Sequence, residues 1–267
     1  MTSAPVCTPA VRWTGGFPGV GLDEVLERAE LLDRCDRKYL LDVADLEALV
    51  DSLPGGLRVL EIDGRRAFRY RSLYFDTPDL RSYRDAAHGR PRRWKLRTRT
   101  YLDSGESWLE LKLRDRRGRT VKHRRPRRVD APAALEPVER SFADDLVGVA
   151  GLANVLRPTL TTSYARVTLL DPAAASRITV DLALRSRLAD GRQIALPGQA
   201  IVETKSAGRA GAADRALWSL GRRPLRLSKY ATSLAAACPE LPANRWHRTL
   251  GHVAFQPQAP DLRWGHR

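Results

Sequence analysis

The chain has 267 residues, 43% of them hydrophobic, and 46 Lys plus Arg against 31 Asp plus Glu, a formal net charge of +15. That length and apolar content suit one large domain or two small ones with a buried core. So basic a balance favours a polyanionic partner: nucleic acid, an acidic membrane surface or phosphorylated metabolites. Three widely spaced cysteines, Cys7, Cys35 and Cys238, lie outside any CxxC pattern and argue against a disulfide framework or a zinc site. No stretch approaches about 18 consecutive apolar residues, and MTSAPVCTPAVRW lacks the parts of a signal peptide, so a cytoplasmic location with no membrane span is expected.

Residues 1–21, with the run GGFPGVG, read as a flexible N-terminal arm. From Asp23, DEVLERAELLDR has helical spacing; RKYLL at 37–41 reads as a strand; Asp42 is placed to cap a helix over VADLEALVDSL, which PGG then stops. From Leu57 the apolar period changes to two, giving strands within 57–63, 67–76, 92–102, 106–114 and 119–124, joined by the turns DGR, DSG and DRRG. A helix within 135–150 follows, then strands at 160–171, 176–187 and 199–206, a helix near 209–220, the basic turn RRPLRLSKY and a short helix ATSLAAAC. The expected fold class is α+β: about eight strands in an antiparallel barrel or strongly curved sheet, with flanking helices. One folded domain is expected over 22–238, and an irregular Pro-, His- and Arg-rich tail over 239–267.

The charge is concentrated. Between Arg90 and Arg128 there are 16 Lys plus Arg against four acids, so most of the excess lies in one meander. Alternation sorts each strand into an ionic face and an apolar face. Lys95, Arg97, Arg99 and Tyr101 share a face; Glu110, Lys112 and Arg114 oppose Leu109, Leu111 and Leu113; Tyr164 and Arg166 oppose Ala165 and Val167; Arg177 and Asp181 oppose Ile178 and Val180. A solvated sheet face accounts for alternation alone. The bias to Lys and Arg, repeated in nearly every strand, favours instead a charged side turned inward around an anion, because a cation-lined lumen is costly when empty.

The few acids on that face have two readings. Glu203, between Val202 and Lys205, could ligate a divalent cation that bridges phosphate oxygens, or pair with Lys205. P-loop, HExxH, GxSxG and GxGxxG signatures are missing, and the five histidines have no metal-ligand spacing. Nucleic acid as partner rests on net charge only, since the basic residues alternate on strands rather than lining a recognition helix.

In order along the chain, DRKYLL (36–41), RSLYFDT (71–77), KLRTRTY (95–101), ELKLR (110–114), VKHR (121–124), SYARV (163–167), RITVDLAL (177–184), VETK (202–205) and LSKY (227–230) resemble the VTC domain. This is the polyphosphate polymerase domain of the vacuolar transporter chaperone complex, a relative of the CYTH-like triphosphate tunnel metalloenzymes. The resemblance implies an eight-stranded antiparallel β-barrel with a basic lumen. It also implies transfer of the ATP γ-phosphate to a polyphosphate chain, assisted by a divalent metal, Mn2+ or Mg2+. On matching positions it implies catalytic roles for Arg97, Arg99, Lys112 and Arg166, phosphate binding by Lys38, Arg71, Lys122, Arg177, Lys205 and Lys229, and Glu203 as the metal ligand. Arg97 and Arg99 are then expected to face inward within reach of Lys112, Arg166 and Glu203, with Lys95 nearer the mouth.

The implied partners are ATP or another triphosphate, polyphosphate and a separate membrane protein. The related CYTH group carries ExExK on its first strand. Here the matching segment is CDRKY, with Asp36 and Lys38 but no paired glutamates, which favours binding long phosphate chains over triphosphatase chemistry. A hydrolase of triphosphates on the same fold and a non-catalytic polyphosphate-binding module are the alternatives.

Overall fold

A computed structural model describes residues 11–28, 35–114 and 118–258. Each period-two stretch of the sequence holds a strand, because alternation lets one side pack while the other meets solvent or ligand. In chain order the elements are β1 (Gly19–Val20), α1 (Leu22–Arg28), β2 (Cys35–Asp42), α2 (Leu46–Asp51), β3 (Arg58–Leu60), β4 (Phe68–Asp76) and α3 (Arg81–Ala87). The basic meander follows as β5 (Arg93–Tyr101), β6 (Glu106–Arg114) and β7 (Thr120–Arg127), then α4 (Pro137–Val147) and α5 (Leu152–Val155). The chain ends with β8 (Arg157–Asp171), β9 (Ser176–Leu188), β10 (Gln193–Ala195), β11 (Gln199–Ser206), α6 (Ala212–Ser219), α7 (Lys229–Ala237), α8 (His247–Leu250) and β12 (Gln256–Gln258). The DRRG turn expected at 115–118 falls largely outside the described residues.

All twelve strands belong to one sheet. An eight-stranded antiparallel path runs β2-β11-β9-β8-β4-β5-β6-β7. The barrel expected from the resemblance is not closed: among the described residues no pairing joins β2 to β7, and the sheet stays open. Two irregular features accompany the open sheet. β7 presents Lys122, Arg124 and Pro126, charges and a missing donor that block further pairing. At Ala183, with φ +53°, β9 turns sharply beside a register shift against β8, so its far half pairs with β10 while its near half pairs with β11.

The sheet nevertheless bends round on itself. Lys112 on β6 lies close enough to Lys38 on β2 and to Glu203 and Lys205 on β11 to be perturbed by them, although the paired path between β6 and β11 runs through β5, β4, β8 and β9. One face is therefore concave and carries the ionic residues. The convex face holds two apolar cores. Tyr39, Leu41, Val167, Val180 and Val202 pack under Leu46, Leu49 and Leu217 of α2 and α6. Phe75, Leu96, Leu109 and Leu111 pack under Ala143, Leu152 and Ala153 of α4 and α5. Each buried Leu or Phe contributes about 1.5–3 kcal/mol.

Helices α3 and α7 seat on one end of the concave side through Tyr74, Tyr83, Leu160, Tyr230 and Leu234. Buried Asp76 anchors both, accepting hydrogen bonds from the backbone N–H groups of Thr77, Ser82 and Tyr83 and from the Tyr230 hydroxyl at 2.6–2.9 Å. α3 has no counterpart among the elements expected from the sequence.

The expected arm is corrected over residues 11–21. Thr14 and Val20 are buried, Trp13 and Phe17 pack on the α2/α6 core, β1 pairs with β3, and Arg66 donates to the Thr14 carbonyl at 2.6 Å. Two aromatic anchors outweigh a Gly- and Pro-rich composition; residues 1–10 lie outside the described set. The tail up to Gln258 is mostly irregular but packs on the fold: Trp246 and Thr249 are buried, and β12 pairs with β10. Asp42 makes no side-chain cap and instead accepts from Arg222 at 2.7 Å. Among the described residues, no helix is long and apolar enough to cross a membrane.

Candidate functional site

Strand register assembles the concave cleft. Arg97 stands opposite Glu110, which stands opposite Arg124, and the next level is Lys95, Lys112 and Lys122. Arg166 is opposite Asp181; Glu203 lies between Lys38 and Thr179; Lys205 lies between Asp36 and Arg177. Lys229 arrives from the first turn of α7. Of the expected cations, Arg71 alone is misplaced. It pairs in register with Thr100 and Ser163 while Tyr70, Ser72 and Tyr74 take the concave side, so period two sends Arg71 to the convex face.

Two buried carboxylates organise the arginines. Glu110 accepts from Arg97 Nε and Nη2 at 2.9 and 2.7 Å, with Lys122 at 3.5 Å and Arg99 Nε at 4.0 Å. Burial alone would raise the Glu110 carboxyl, but Arg97, Arg99 and Lys122 outweigh it and hold it at about 2. Asp181 receives a two-pronged contact from Arg166 at 2.6 and 2.9 Å and a third contact from Lys229. Its carboxyl is also pulled down to about 2 against desolvation by those two cations.

Tyrosines form the other support, and their role was not read from the sequence. Arg97 donates to the Tyr74 hydroxyl at 3.3 Å and Arg99 to the Tyr164 hydroxyl at 3.1 Å. Tyr70 and Tyr164 stack at 5.3 Å, and the Arg166 guanidinium lies 5.2 Å from the first ring and 5.4 Å from the second. The alternation in FRYRSLYFD carried that signal: it places Tyr70 and Tyr74 on the face opposite Arg69 and Arg71. A segment leading into α7 crosses the cleft, accepting from Lys38 Nζ at the Leu227 carbonyl, 3.2 Å, and from Lys95 Nζ at Ser228 Oγ, 2.8 Å.

The lysines deeper in the cleft are crowded by like charge. Lys112 is lowered to about 7, first by burial and then by Arg97, Lys38 and Lys205, with Glu203 opposing. Lys95 is depressed by burial and then by Lys38, Lys112 and Arg97. Lys38, Lys95, Arg97, Arg99, Lys112, Lys122, Arg124, Arg166, Arg177, Lys205 and Lys229 outnumber the carboxylates Asp36, Glu110, Asp181 and Glu203 on this face. Buried polar atoms in the cleft, Thr179 Oγ1 and Arg99 Nε, have no hydrogen-bond partner in the structure. An anion with several oxygens would satisfy cations and orphaned donors together.

The residues present do not form a ready metal centre. Lys205 holds Glu203 at 2.7 Å and also reaches Asp36 at 3.2 Å. Glu203 is kept ionised by Lys38, Lys205 and Arg166 against its burial. Among the described residues, no three His, Cys, Asp or Glu side chains cluster as an all-protein metal site would require. Glu203 is paired with Lys205 in this structure, and an ion ligated there would take most of its ligands from substrate phosphates.

The VTC domain family matches residues 33–238. No curated protein matches the sequence significantly. Among solved structures, a proposed adenylate cyclase from Bacillus halodurans is 15% identical, covering 73% of this chain and 94% of that one, with a TM-score of 0.44. A Hippeastrum protein proposed as an adenylyl cyclase and found to have a dominant triphosphatase activity is 14% identical over 80% of this chain and 100% of that one, TM-score 0.48. At these TM-scores the family match carries the assignment and the structural likeness does not.

Proposed function

The chain belongs to the VTC domain family, and we propose that its concave cleft binds condensed phosphate and extends it with the γ-phosphate of ATP. The observation that supports this most directly is the excess of oriented cations over carboxylates in the cleft. Phosphoryl transfer asks little covalent chemistry of a protein; it asks for in-line positioning and neutralisation of equatorial oxygen charge. Arg97, Arg99 and Arg166 are held by Glu110, Asp181 and tyrosine hydroxyls, so their positive charge and remaining donors meet a phosphate without reorganising. Lys38, Lys112, Lys122, Arg177, Lys205 and Lys229 line the path of the chain as positive charges.

In the reaction, a terminal oxygen of the phosphate chain, already ionised, attacks the γ-phosphorus. The bond from that phosphorus to the β-bridging oxygen breaks, and ADP leaves with the electron pair. No general base is required, which suits a cleft without a His or Cys nucleophile pair. A divalent ion enters as part of the nucleotide complex, its phosphate oxygens supplying most of the ligands.

The test is incubation with ATP and Mn2+ followed by separation of products by chain length. Chain growth is expected in the native protein, with a loss of about 100-fold or more in Arg97→Ala. Undiminished synthesis in that variant would sink the site assignment. Orthophosphate without chain growth would make the protein a hydrolase, and retention of polyphosphate without turnover would make it a binding module.

A further inference from the structure

On the convex side of the sheet a cavity of about 470 Å3 opens near Arg71, a volume within the roughly 300–1,000 Å3 of small-molecule sites. It lies where the convex face stops being apolar. Past Leu96 and Leu109 the strands present Thr98, Thr100 and Ser107, all buried, and the helices that cover the two cores do not line it. The loop after β7 overhangs this floor, bringing Val129, Ala131, Pro132 and Ala133 to one wall; Val129 is 51% exposed.

Two arginines enter the cavity from strands on either side of β8, Arg71 from β4 and Arg187 from β9. Neither guanidinium makes a hydrogen bond or ion pair with any described residue. The other guanidiniums of the lining are already engaged: Arg127 by Glu139 at 2.9 Å and Arg128 by Asp130 at 2.6 Å. Asp130 is the sole carboxylate of the lining, so nothing of opposite charge remains for Arg71 and Arg187. Two strand spacings and a two-residue offset in register separate their backbones by about 12 Å, a gap that two arginine side chains bridge around one phosphate group.

We propose that this cavity is a second ligand site, for a phosphate monoester with an apolar part, of nucleoside monophosphate size. The phosphate sits between Arg71 and Arg187, and the apolar part rests on the wall from Val129 to Ala133. A bare phosphate chain would leave that wall unused and exposed. Arg71 and Arg187 face away from the concave cleft, so occupancy does not depend on the activity proposed for that cleft.

The probe is 8-azido-AMP, photolysed with the full chain while saturating tripolyphosphate occupies the concave cleft. Label is expected on tryptic peptide 129–140, displaced by AMP, reduced tenfold or more in the double variant Arg71→Ala/Arg187→Ala, and retained in Arg97→Ala. Unchanged thermal melting of the double variant shows that its loss is not unfolding. Label confined to the concave strands, or undiminished in the double variant, overturns the site. Inorganic phosphate competing as well as AMP overturns the apolar part of the ligand. A protein that extends no polyphosphate yet labels as expected separates this proposal from the concave reading.

Discussion

The two faces of one sheet use arginine in opposite ways. On the concave side Arg97 and Arg166 are fixed by Glu110 and Asp181, and both carboxylates are buried. On the convex side Arg71 and Arg187 meet hydroxyls and solvent, with no acid assigned to them. A guanidinium anchored by a buried carboxylate is stiff and part-neutralised, and its remaining donors point in a set direction. An unanchored one keeps its full charge and its freedom, and costs the fold little.

The largest way to break this comparison is to remove an anchor. Asp181→Ala leaves Arg166 and Lys229 facing each other with no counter-charge, and should destabilise the protein by about 3–5 kcal/mol in urea unfolding. A loss below about 1 kcal/mol would show that the acid is dispensable to the fold. The stability contributed by Asp181 and Glu110 also has a pH signature. Their folded values are depressed to about 2, so the contribution is complete above the ordinary carboxylate range and disappears as pH falls through about 2.

A middle-sized effect belongs to Lys112. Its ammonium loses its proton near pH 7, and a bound polyanion favours the charged form. Tripolyphosphate affinity should therefore rise several-fold as pH falls from about 8.5 to about 6.5, with proton uptake on binding above pH 7. Calorimetry in two buffers of different ionisation enthalpy measures that uptake. Lys112→Met should flatten the profile, and an unchanged slope would remove Lys112 from the contact. The smallest effect is on the other face: Arg71→Ala should change stability by less than about 0.5 kcal/mol, and a larger loss would reveal an anchor the structure does not contain.

Much of this was legible in the sequence because strand alternation is local. Lys95, Arg97 and Arg99 share a face whatever the tertiary arrangement, and the family motifs placed Lys38, Glu203 and Lys229 beside them. Arg71 shows the cost of letting a motif outrank parity: in RSLYFDT it belongs with Leu73, opposite Ser72 and Tyr74. The open sheet was not legible, because alternation fixes which face a residue takes and not which edges meet, and the turn of β9 at Ala183 is a positive-φ alanine without a glycine's signature. The packed N-terminal stretch depends on Trp13 and Phe17 finding a core built from strands far along the chain. The convex cavity depends on where a loop falls after β7, and loop placement has no periodicity to read.

One consequence of the open sheet concerns β7, whose outer edge is unpaired among the described residues. A bare edge is a template for a second chain, and here it is guarded by Lys122 and Arg124 and by Pro126, which has no N–H to give. Two such edges approaching one another meet like charge along their length, so the cations that attract phosphate also keep neighbouring molecules apart in solution.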